Sequence, residues 1–358
     1  MIVRDEERHL GDCLRSIAPE IDEIVIVDTG SRDATVEIAR KFGARVVERA
    51  WAADFSDARN SALDHAKCDW ILYIDADERL HVPAGALRSA VDRDDAAACW
   101  VLFQPRVGFT RYHELRLFRR DPRIRFRGAI HETVHPSIEA VCRSDGLKIV
   151  GTDVHIDHIG YEGDLTGKHA RNLPILQRAV QETPRRVFLW VDMAQAFAGL
   201  GRREEAEAAC QRAIDLAAGL DDPKQKSDGA LAWQCLIGLY LETDPARAAD
   251  IAGAAVEKYP EHHALALALA NALFLIGRDA EIIPILEQLT CIDAQTFMDP
   301  LVSYDQRIFG EWAHDLMGGA YARLGERSRA AQAFRRAAQL APDKLAYHAK
   351  AAAFALNG

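Results

Sequence analysis

The sequence lacks several features that would place it in common classes of protein. Its 358 residues contain no apolar run near the roughly 18 residues that a membrane helix needs. The N-terminal stretch MIVRDEERHL has no signal-peptide architecture. A net charge of −10 argues against a nucleic-acid partner held by phosphate neutralisation. We therefore expect a cytoplasmic protein with no transmembrane segment and no nucleic-acid partner.

Ordered cysteine patterns and the common nucleotide-binding loops are missing as well. The seven cysteines are scattered and form no CxxC pair, so neither a disulfide framework nor a cysteine zinc site is expected. No GxGxxG is present, which disfavours a Rossmann dinucleotide site, and no GxxxxGK[ST] is present, which excludes a P-loop. Any nucleotide site must therefore be built differently.

The first 160 or so residues alternate strand-like and helix-like segments. EIVIVDTG and ARVVERAW are rich in β-branched residues, whereas SRDATVEIARKFG and FSDARNSALDHAKC have helical spacing of apolar residues. WILYIDADE follows as the next strand. This order predicts a parallel, doubly wound α/β sheet, in which ligands bind beyond the carboxyl ends of the strands.

From about residue 165 the sequence becomes rich in Ala and Leu, and self-similar segments appear. Segments 189–217 and 314–343 have the spacing of a tetratricopeptide repeat, a helical hairpin of about 34 residues. Looser copies lie at 233–260 and 266–289. The positions that fit the frame are Trp190, Ala194, Phe197, Gly201, Ala206 and Ala213 in the first copy, and Met317, Gly318, Tyr321, Ala330, Phe334, Ala337 and Pro342 in the last.

Such repeats stack into a solenoid with a concave face. We predict two domains, an α/β domain over residues 1–164 and an all-α repeat domain over residues 165–358. The alternative for the second domain is a plain helical bundle. The uneven spacing between copies predicts insertions or an irregular middle.

Acidic residues stand where two of the predicted strands end. Asp28 closes one strand, and Asp75 and Asp77 follow another. Side chains alternate along a strand, so an Asp-X-Asp at its tip places both carboxylates on one side. Two close carboxylates repel each other unless a cation lies between them, and hard oxygen ligands suit Mg²⁺ or Mn²⁺. The open positions of such an ion favour a diphosphate ligand.

These motifs, in this order, resemble a known family. MIVRDEE, EIVIVDTGSRDAT, FSDARNSALDHAKC and WILYIDADE resemble a family-2 glycosyltransferase of the GT-A fold. LRLFRRDPRIRFRGAIHETV and DHIGY…KHARNLPILQRAVQETP resemble a bacterial subgroup in which C-terminal tetratricopeptide repeats follow that domain. This subgroup includes the peptide S-glycosyltransferases that modify bacteriocins. Relatives usually have several more residues before MIVRDEE, which implies either an upstream start or a reduced edge of the base pocket.

The resemblance implies a role for each matching position. Asp28 would contact the nucleoside, and Arg59 and Asn60 would lie near the nucleotide, with Arg59 facing a phosphate. Asp75 would touch the ribose or sugar and is also a candidate metal ligand, while Asp77 would bind the metal, Mn²⁺ or Mg²⁺. The structural alternatives are a helix cap for Asp28, a surface ion pair for Arg59 and a non-functional loop for the acidic triplet.

The family also needs a catalytic base and usually a histidine near the metal. Inverting transfer is an in-line displacement, in which a carboxylate takes the acceptor's proton. Glu132 is the candidate base by analogy, and an ion-paired structural glutamate is the alternative. His158 is the candidate third metal ligand. His131 and His155 are its rivals, and a satisfied structural histidine is the alternative for each.

Two further patterns are ambiguous or misleading. LRLFRRDPRIRFRG carries six arginines in fourteen residues, with a predicted hairpin turn at residues 120–123. One arginine could reach the diphosphate, or the segment could be a solvated hairpin face. HETVH at 131–135 matches the zinc-protease pattern, but Gly128, Pro136 and the β-branched Thr133 and Val134 disfavour the helix that this chemistry requires.

The sequence therefore predicts a metal-dependent, inverting glycosyltransferase. It would transfer a hexose or N-acetylhexosamine from a UDP-sugar or another nucleotide sugar. Its acceptor would be a peptide, protein or glycan that is held partly by the repeats. Homo-oligomerisation is left open. Two rivals remain: an interaction protein whose front domain has lost catalysis, and a nucleotidyltransferase, which would bring a glycine-rich basic loop that MIVRDEERHL lacks.

Overall fold

The computed structural model of the protein describes residues 1–160 and 165–355. These residues form two compact units, one built mainly from the first range and one mainly from the second. The predicted domain boundary between residues 164 and 165 adjoins residues 161–164, which lie outside the described part, so it stays a prediction. Among the helices of the two ranges, none combines the length and apolar character needed to cross a membrane.

The first unit opens with a small parallel sheet. Its strands are paired in the order β1-β2-β3, with Val3 opposite Asp28 and Asp28 opposite Glu48. The elements are β1 (Ile2–Val3), α1 (Leu10–Ile17), β2 (Val25–Asp28), α2 (Thr35–Lys41), β3 (Arg45–Glu48) and α3 (Phe55–His65). Asp54 caps α3 by accepting a bond from the Asp57 N–H at 3.0 Å. The alternation of strands and helices predicted from the sequence is confirmed here.

A second, five-stranded sheet completes the unit, in the order β4-β7-β6-β8-β5. Only β6 and β8 run parallel in it, and the other neighbours are antiparallel. The elements are β4 (Trp70–Leu72), β5 (Glu78–His81), α4 (Ala86–Val91), β6 (Ala96–Gln104), β7 (Tyr112–Arg119), α5 (His135–Asp145) and β8 (Lys148–His158). The α/β class is therefore confirmed, with mixed sheets. The expectation that β4 extends a parallel sheet is wrong, because β4 pairs antiparallel with β7.

The segment that leads into the acidic turn after β4 packs against apolar side chains of α1. Leu10, Cys13 and Leu14 of α1 are fully buried and share one cluster with Ile74 and Ala76. Helix α1 thus packs beneath residues 74–76. Asp75 and Asp77 alternate with these buried residues along the chain, are themselves only partly buried and contact different partners.

Two local predictions can be compared with the backbone. Residues 131–134 are not helical and α5 begins at His135 with Pro136 in its first turn, so the expectation for HETVH is confirmed. The turn predicted at residues 120–123 forms after β7, but a second strand does not follow it. In its place, Arg127 and Thr133 form an isolated antiparallel bridge.

The second unit is helical, and each predicted repeat is a pair of antiparallel helices. The elements are α6 (Leu165–Glu182), α7 (Val187–Gly199), α8 (Arg203–Ala218), α9 (Pro223–Leu241), α10 (Pro245–Lys258), α11 (His263–Leu275), α12 (Asp279–Thr290), a 3₁₀ helix (Gln306–Phe309), α13 (Glu311–Arg323), α14 (Arg327–Leu340) and α15 (Leu345–Ala355). The four predicted hairpins correspond to α7–α8, α9–α10, α11–α12 and α13–α14. The irregular segment 291–310 accounts for the uneven spacing.

Small residues allow the helices of a hairpin to approach closely, as the repeat pattern predicts. A Cβ placed on Gly318 in α13 would lie 2.6 Å from two ring carbons of Phe334 in α14. Phe334 is only 3% exposed, so its ring has little room to move. Gly253 of α10 differs, because a Cβ there would meet no described heavy atom within 4 Å.

We therefore expect opposite effects from two glycine-to-alanine substitutions within helices. Gly318→Ala should lower the free energy of unfolding by about 1–3 kcal/mol, because the methyl group overpacks the hairpin. Gly253→Ala should raise it by up to about 1 kcal/mol through helix propensity alone. Urea unfolding followed by far-ultraviolet circular dichroism measures both. Equal stabilisation by the two substitutions would contradict the close contact at Gly318.

Candidate functional site

The acidic turn between β4 and β5 is held by its own backbone. The Asp75 N–H donates to Glu78 Oε2 at 2.8 Å, and the Glu78 N–H donates to the Asp75 carbonyl at 3.1 Å. The Cys13 thiol donates to the same carbonyl at 3.3 Å. Burial raises the pKa of Cys13 to about 12, so the thiol keeps the proton that it donates. Ala76, between the two aspartates, is 3% exposed and leaves no room for a larger side chain.

Arg59 joins two of the predicted site residues. Its guanidinium bonds both oxygens of Asp75, at 2.9 and 3.0 Å, and its Nε donates to Oε1 of Glu132. The Arg59 side chain is 11% exposed, so this is not a surface ion pair. Burial raises the pKa of Asp75, but Arg59 more than offsets this and the net pKa lies well below its usual range. The structure thus brings the candidate base beside the acidic turn, with one arginine between them.

Asp77 faces the opposite way, toward β8. Its Oδ2 lies 2.8 Å from Nε2 of His158. Burial lowers the pKa of His158, but Asp77 outweighs burial and the net pKa is above its usual value. Gly160 is packed directly against the Asp77 carboxylate, where a Cβ would overlap it. Of the three candidate histidines, His158 is therefore the one that contacts Asp77.

The predicted three-residue ligand set is not assembled in one place. Asp75 is bonded by Arg59, whereas Asp77 and His158 contact each other. Within the two described ranges, no three His, Cys, Asp or Glu side chains are arranged to hold a metal. A carboxylate oxygen is nevertheless a donor that Mn²⁺ and Mg²⁺ prefer, and both ions fill their remaining positions with other oxygens or water. The imidazole nitrogen is a softer donor, which suits Mn²⁺ better than Mg²⁺. Asp77 and His158 therefore fit as a two-residue metal site.

A second buried ion pair lies behind the turn. Glu78 and Arg116 are 1% and 6% exposed, and Arg116 bonds both carboxylate oxygens at 3.0 and 3.2 Å. Burial raises the pKa of Glu78 to about 7, against the opposing effect of Arg116. Arg116 also bonds Glu114 at 3.0 Å. Sequence reasoning placed Arg116 in an arginine-rich segment and Glu78 in the acidic turn but did not pair them.

Asp28 is engaged by its own loop. Its oxygens accept bonds from the N–H groups of Gly30 and Ser31, at 3.1–3.3 Å, and from the Ser31 hydroxyl. The residue is 5% exposed. These contacts shape the loop after β2. The predicted nucleoside contact stays a prediction.

Asn60 is fixed by a backbone partner on both sides of its amide. Its Nδ2 donates to the Phe126 carbonyl at 3.0 Å, and its Oδ1 accepts from the Phe126 N–H at 2.9 Å. Asn60 thereby ties α3 to the segment that leads to Glu132. His131, next to Glu132, has a φ of +51°, a left-handed conformation that is strained for a histidine.

Most of the remaining arginines in segment 115–128 are bound away from the acidic turn. Arg119 donates to the Ala96 carbonyl, Arg123 pairs with Asp121, and Arg125 pairs with Asp64. Of the rival histidines, His155 lies opposite His81 in the β5–β8 pair. Gly160 was missed at the sequence level, since nothing local distinguishes it from an ordinary loop glycine.

The comparisons with known proteins agree with this division of the chain. A family model for glycosyl transferase family 2 matches residues 1–146. Models of the tetratricopeptide repeat match residues 189–219 and 313–345. These last two segments coincide with α7–α8 and with α13–α14.

Curated relatives cover parts of the chain. A TPR repeat-containing protein of Synechococcus elongatus is 46% identical over 144 residues, 39% of this chain and 36% of the relative. The glycosyltransferase SunS of Bacillus subtilis is 27% identical over 199 residues, 51% of this chain and 45% of the relative. A glycosyltransferase of Rickettsia typhi is 35% identical over 80 residues, 22% of this chain and 27% of the relative. The chain thus spans less than half the length of these relatives.

Solved structures are also similar to the chain. MamA of Desulfovibrio magneticus is 16% identical, with a TM-score of 0.38, over 48% of this chain and 84% of that protein. The TPR protein YrrB is 16% identical, with a TM-score of 0.37, over 51% of this chain and 84% of that protein. On the family models, the chain carries a glycosyl transferase family 2 domain over residues 1–146, with tetratricopeptide repeats later in the sequence.

Proposed function

We propose that the protein is a metal-dependent, inverting glycosyltransferase of the cytoplasm that uses a nucleotide diphosphate sugar, a UDP-sugar by preference. The observation that carries the proposal is the arrangement around the acidic turn. Arg59 joins Asp75 to the candidate base Glu132, while Asp77 meets His158 on the other side. The family-2 domain and the relatives named as glycosyltransferases support it.

In this proposal Asp77 and His158 would hold Mn²⁺ or Mg²⁺, and such an ion would supply positive charge for a diphosphate leaving group. Asp75 is left to contact the ribose or the sugar, with its orientation set by Arg59. Asp28 would contact the nucleoside, and Asn60 would lie near the nucleotide. The repeats would hold the acceptor, and a concave helical surface suits a peptide or protein better than a small molecule.

Glu132 has the surroundings that a general base needs. Arg59 contacts only Oε1, and no described donor bonds Oε2, which is therefore the oxygen that takes a proton. The Asn60–Phe126 bonds and the turn at His131 hold the segment in place, so the carboxylate is oriented before an acceptor arrives.

Removing the Asp77 carboxylate should abolish the metal dependence of nucleotide binding. A thermal-shift panel of nucleoside diphosphates and nucleotide sugars, with and without Mn²⁺, measures this, because stabilisation follows RT ln(1 + [L]/Kd). We expect wild type to be stabilised by a nucleoside diphosphate only when Mn²⁺ is present, and Asp77→Asn to lose that increment. Asp69→Asn, on the residue that precedes β4, is the matched control.

A response of Asp77→Asn to Mn²⁺ equal to that of wild type would refute the ligand assignment. If wild type itself shows no response to any nucleotide, the interaction-protein alternative is favoured.

Gly160→Ala should reproduce part of this loss without any change of charge. A methyl group at position 160 would overlap the Asp77 carboxylate and push it away from His158. We expect weaker stabilisation by Mn²⁺ with a nucleoside diphosphate and an unchanged response to the nucleotide alone. Gly151→Ala in β8, where a Cβ would meet no described atom within 4 Å, should behave as wild type. Equal metal responses in the two alanine variants would contradict the packing argument.

Glu132→Gln should separate chemistry from binding. Loss of the base should slow release of the nucleoside diphosphate from its sugar donor by about 10²–10⁴-fold. The metal-dependent thermal shift should remain, because Asp77 and His158 are untouched. Glu139→Gln, on the exposed face of α5, is the control. Wild-type turnover in Glu132→Gln would remove Glu132 from the mechanism, whereas loss of both turnover and binding would make it a structural residue.

A further inference from the structure

The buried pair Glu78–Arg116 has no evident reason to exist for stability alone. Both side chains are almost inaccessible, at 2% and 7% of their side-chain area. Burying two charges costs several kcal/mol per ion by order of magnitude, and apolar residues of similar size are often as stabilising or more so. A buried, doubly bonded ion pair therefore needs another explanation, and its contacts supply one.

Glu78 connects the pair to the backbone of the acidic turn. Its Oε2 accepts the Asp75 N–H at 2.8 Å as well as a bond from Arg116 at 3.2 Å. Its own N–H returns a bond to the Asp75 carbonyl. The direction in which Asp75 leaves the turn is thus set by a carboxylate whose position Arg116 holds. One residue away, the Asp77 carbonyl is fixed by the Ile159 N–H at 2.9 Å.

Arg116 lies between the two sides of the proposed site. Its guanidinium is 4.5 Å from the ring centre of Tyr73 and 4.6 Å from that of Phe103. Arg59 lies 5.3 Å from the same Tyr73 ring. The Phe103 ring lies 6.4 Å from the His158 ring. Arg116 therefore packs behind both the Asp75–Arg59 side and the Asp77–His158 side.

Arg116 itself is not placed to bind a ligand. It is 6% exposed, and its guanidinium donates to Glu78 and Glu114. The sequence raised the idea that an arginine of segment 115–128 reaches a diphosphate. For Arg116 the geometry favours a different role, exerted through Glu78.

We propose that Glu78 and Arg116 are positioning residues for the donor site, which hold the Asp75–Asp77 turn in the orientation that a metal-bound nucleoside diphosphate requires. The proposal rests on the proposed function. It adds two residues, neither of which would touch the substrate, and it predicts that altering them impairs donor binding at temperatures where the protein is fully folded.

Arg116→Lys tests the proposal, with Arg119→Lys as its matched control. Both arginines lie on β7, but Arg119 bonds the Ala96 carbonyl and lies over Trp70, away from the turn. Lysine keeps the charge but lacks the planar pair of N–H donors with which Arg116 bonds both oxygens of Glu78. Two readouts are compared in the full chain, namely amide hydrogen exchange of residues 74–80 and the Kd of UDP with Mn²⁺.

We expect Arg116→Lys to speed exchange in residues 74–80 and to weaken the binding of UDP with Mn²⁺ by about tenfold to a hundredfold, as changes to residues that orient metal ligands do. Arg119→Lys should leave both within about twofold of wild type. The donor KM should rise in Arg116→Lys while the rate at saturating donor changes less. A purely structural role would not produce this split.

A double variant keeps the test decisive if Arg116→Lys folds poorly. Glu78→Leu with Arg116→Met replaces the pair by apolar residues of similar size, which such sites commonly tolerate. It should fold but lose metal-dependent UDP binding, since the Asp75 N–H has lost its acceptor. A folded double variant that binds UDP and Mn²⁺ like wild type would overturn the proposal.

The two hypotheses fail in different ways. If wild type binds no nucleoside diphosphate with Mn²⁺, the proposed function is wrong, and the exchange data still decide whether the pair holds the turn. If exchange in residues 74–80 is the same in Arg116→Lys and Arg119→Lys, the positioning role is wrong whatever the protein binds. Faster exchange with unchanged UDP affinity would also overturn it, because the turn would then not govern binding.

Discussion

Like charges converge at one end of the first unit, and the local structure depends on how they are neutralised. Four carboxylates, those of Asp75, Glu78, Glu114 and Glu132, face two guanidinium groups, those of Arg59 and Arg116. The excess is negative before Asp77 is considered, even though the pKa of Glu78, raised to about 7, leaves that carboxyl partly protonated at neutral pH. Carboxylates tolerate such proximity only when cations or donors lie between them. The buried arginines supply part of the compensation, and a divalent cation at Asp77 and His158 would supply more.

This arrangement means that the charges cannot be treated as independent. Arg59 contacts both the candidate base and an acid of the donor site, so a change at Asp75 alters the surroundings of Glu132. Residues that share a hydrogen-bonded partner show interaction energies of about 0.5–3 kcal/mol in double-mutant cycles. Because the Arg59 side chain is buried, both carboxylates stay bonded to it in one arrangement.

The parts of the fold that follow from local patterns could be predicted, and those that depend on distant pairing could not. Helical hairpins such as α13–α14 are recognisable because Gly318 and Phe334 stand at fixed repeat spacings and contact each other. β4 shows the limit. Its three residues mark a strand, but its partner β7 comes about forty residues later and runs antiparallel. Nothing in a short apolar run specifies which strand pairs with it.

The residues of the candidate site also fall into those that local motifs identify and those that depend on distant contacts. Asp75, Asp77 and Arg59 stand in motifs whose order along the chain identified them, and the structure brings them within reach of Glu132 and His158. Glu78 and Arg116 are 38 positions apart in the sequence, and Gly160 is 83 positions from its partner Asp77. No local motif records contacts over such separations. Acidic side chains on both sides of a turn repel each other. The turn therefore keeps one geometry only if buried contacts hold its backbone. The residues that do so are buried and bonded to one another, and for that reason they resemble ordinary core residues until the fold is known.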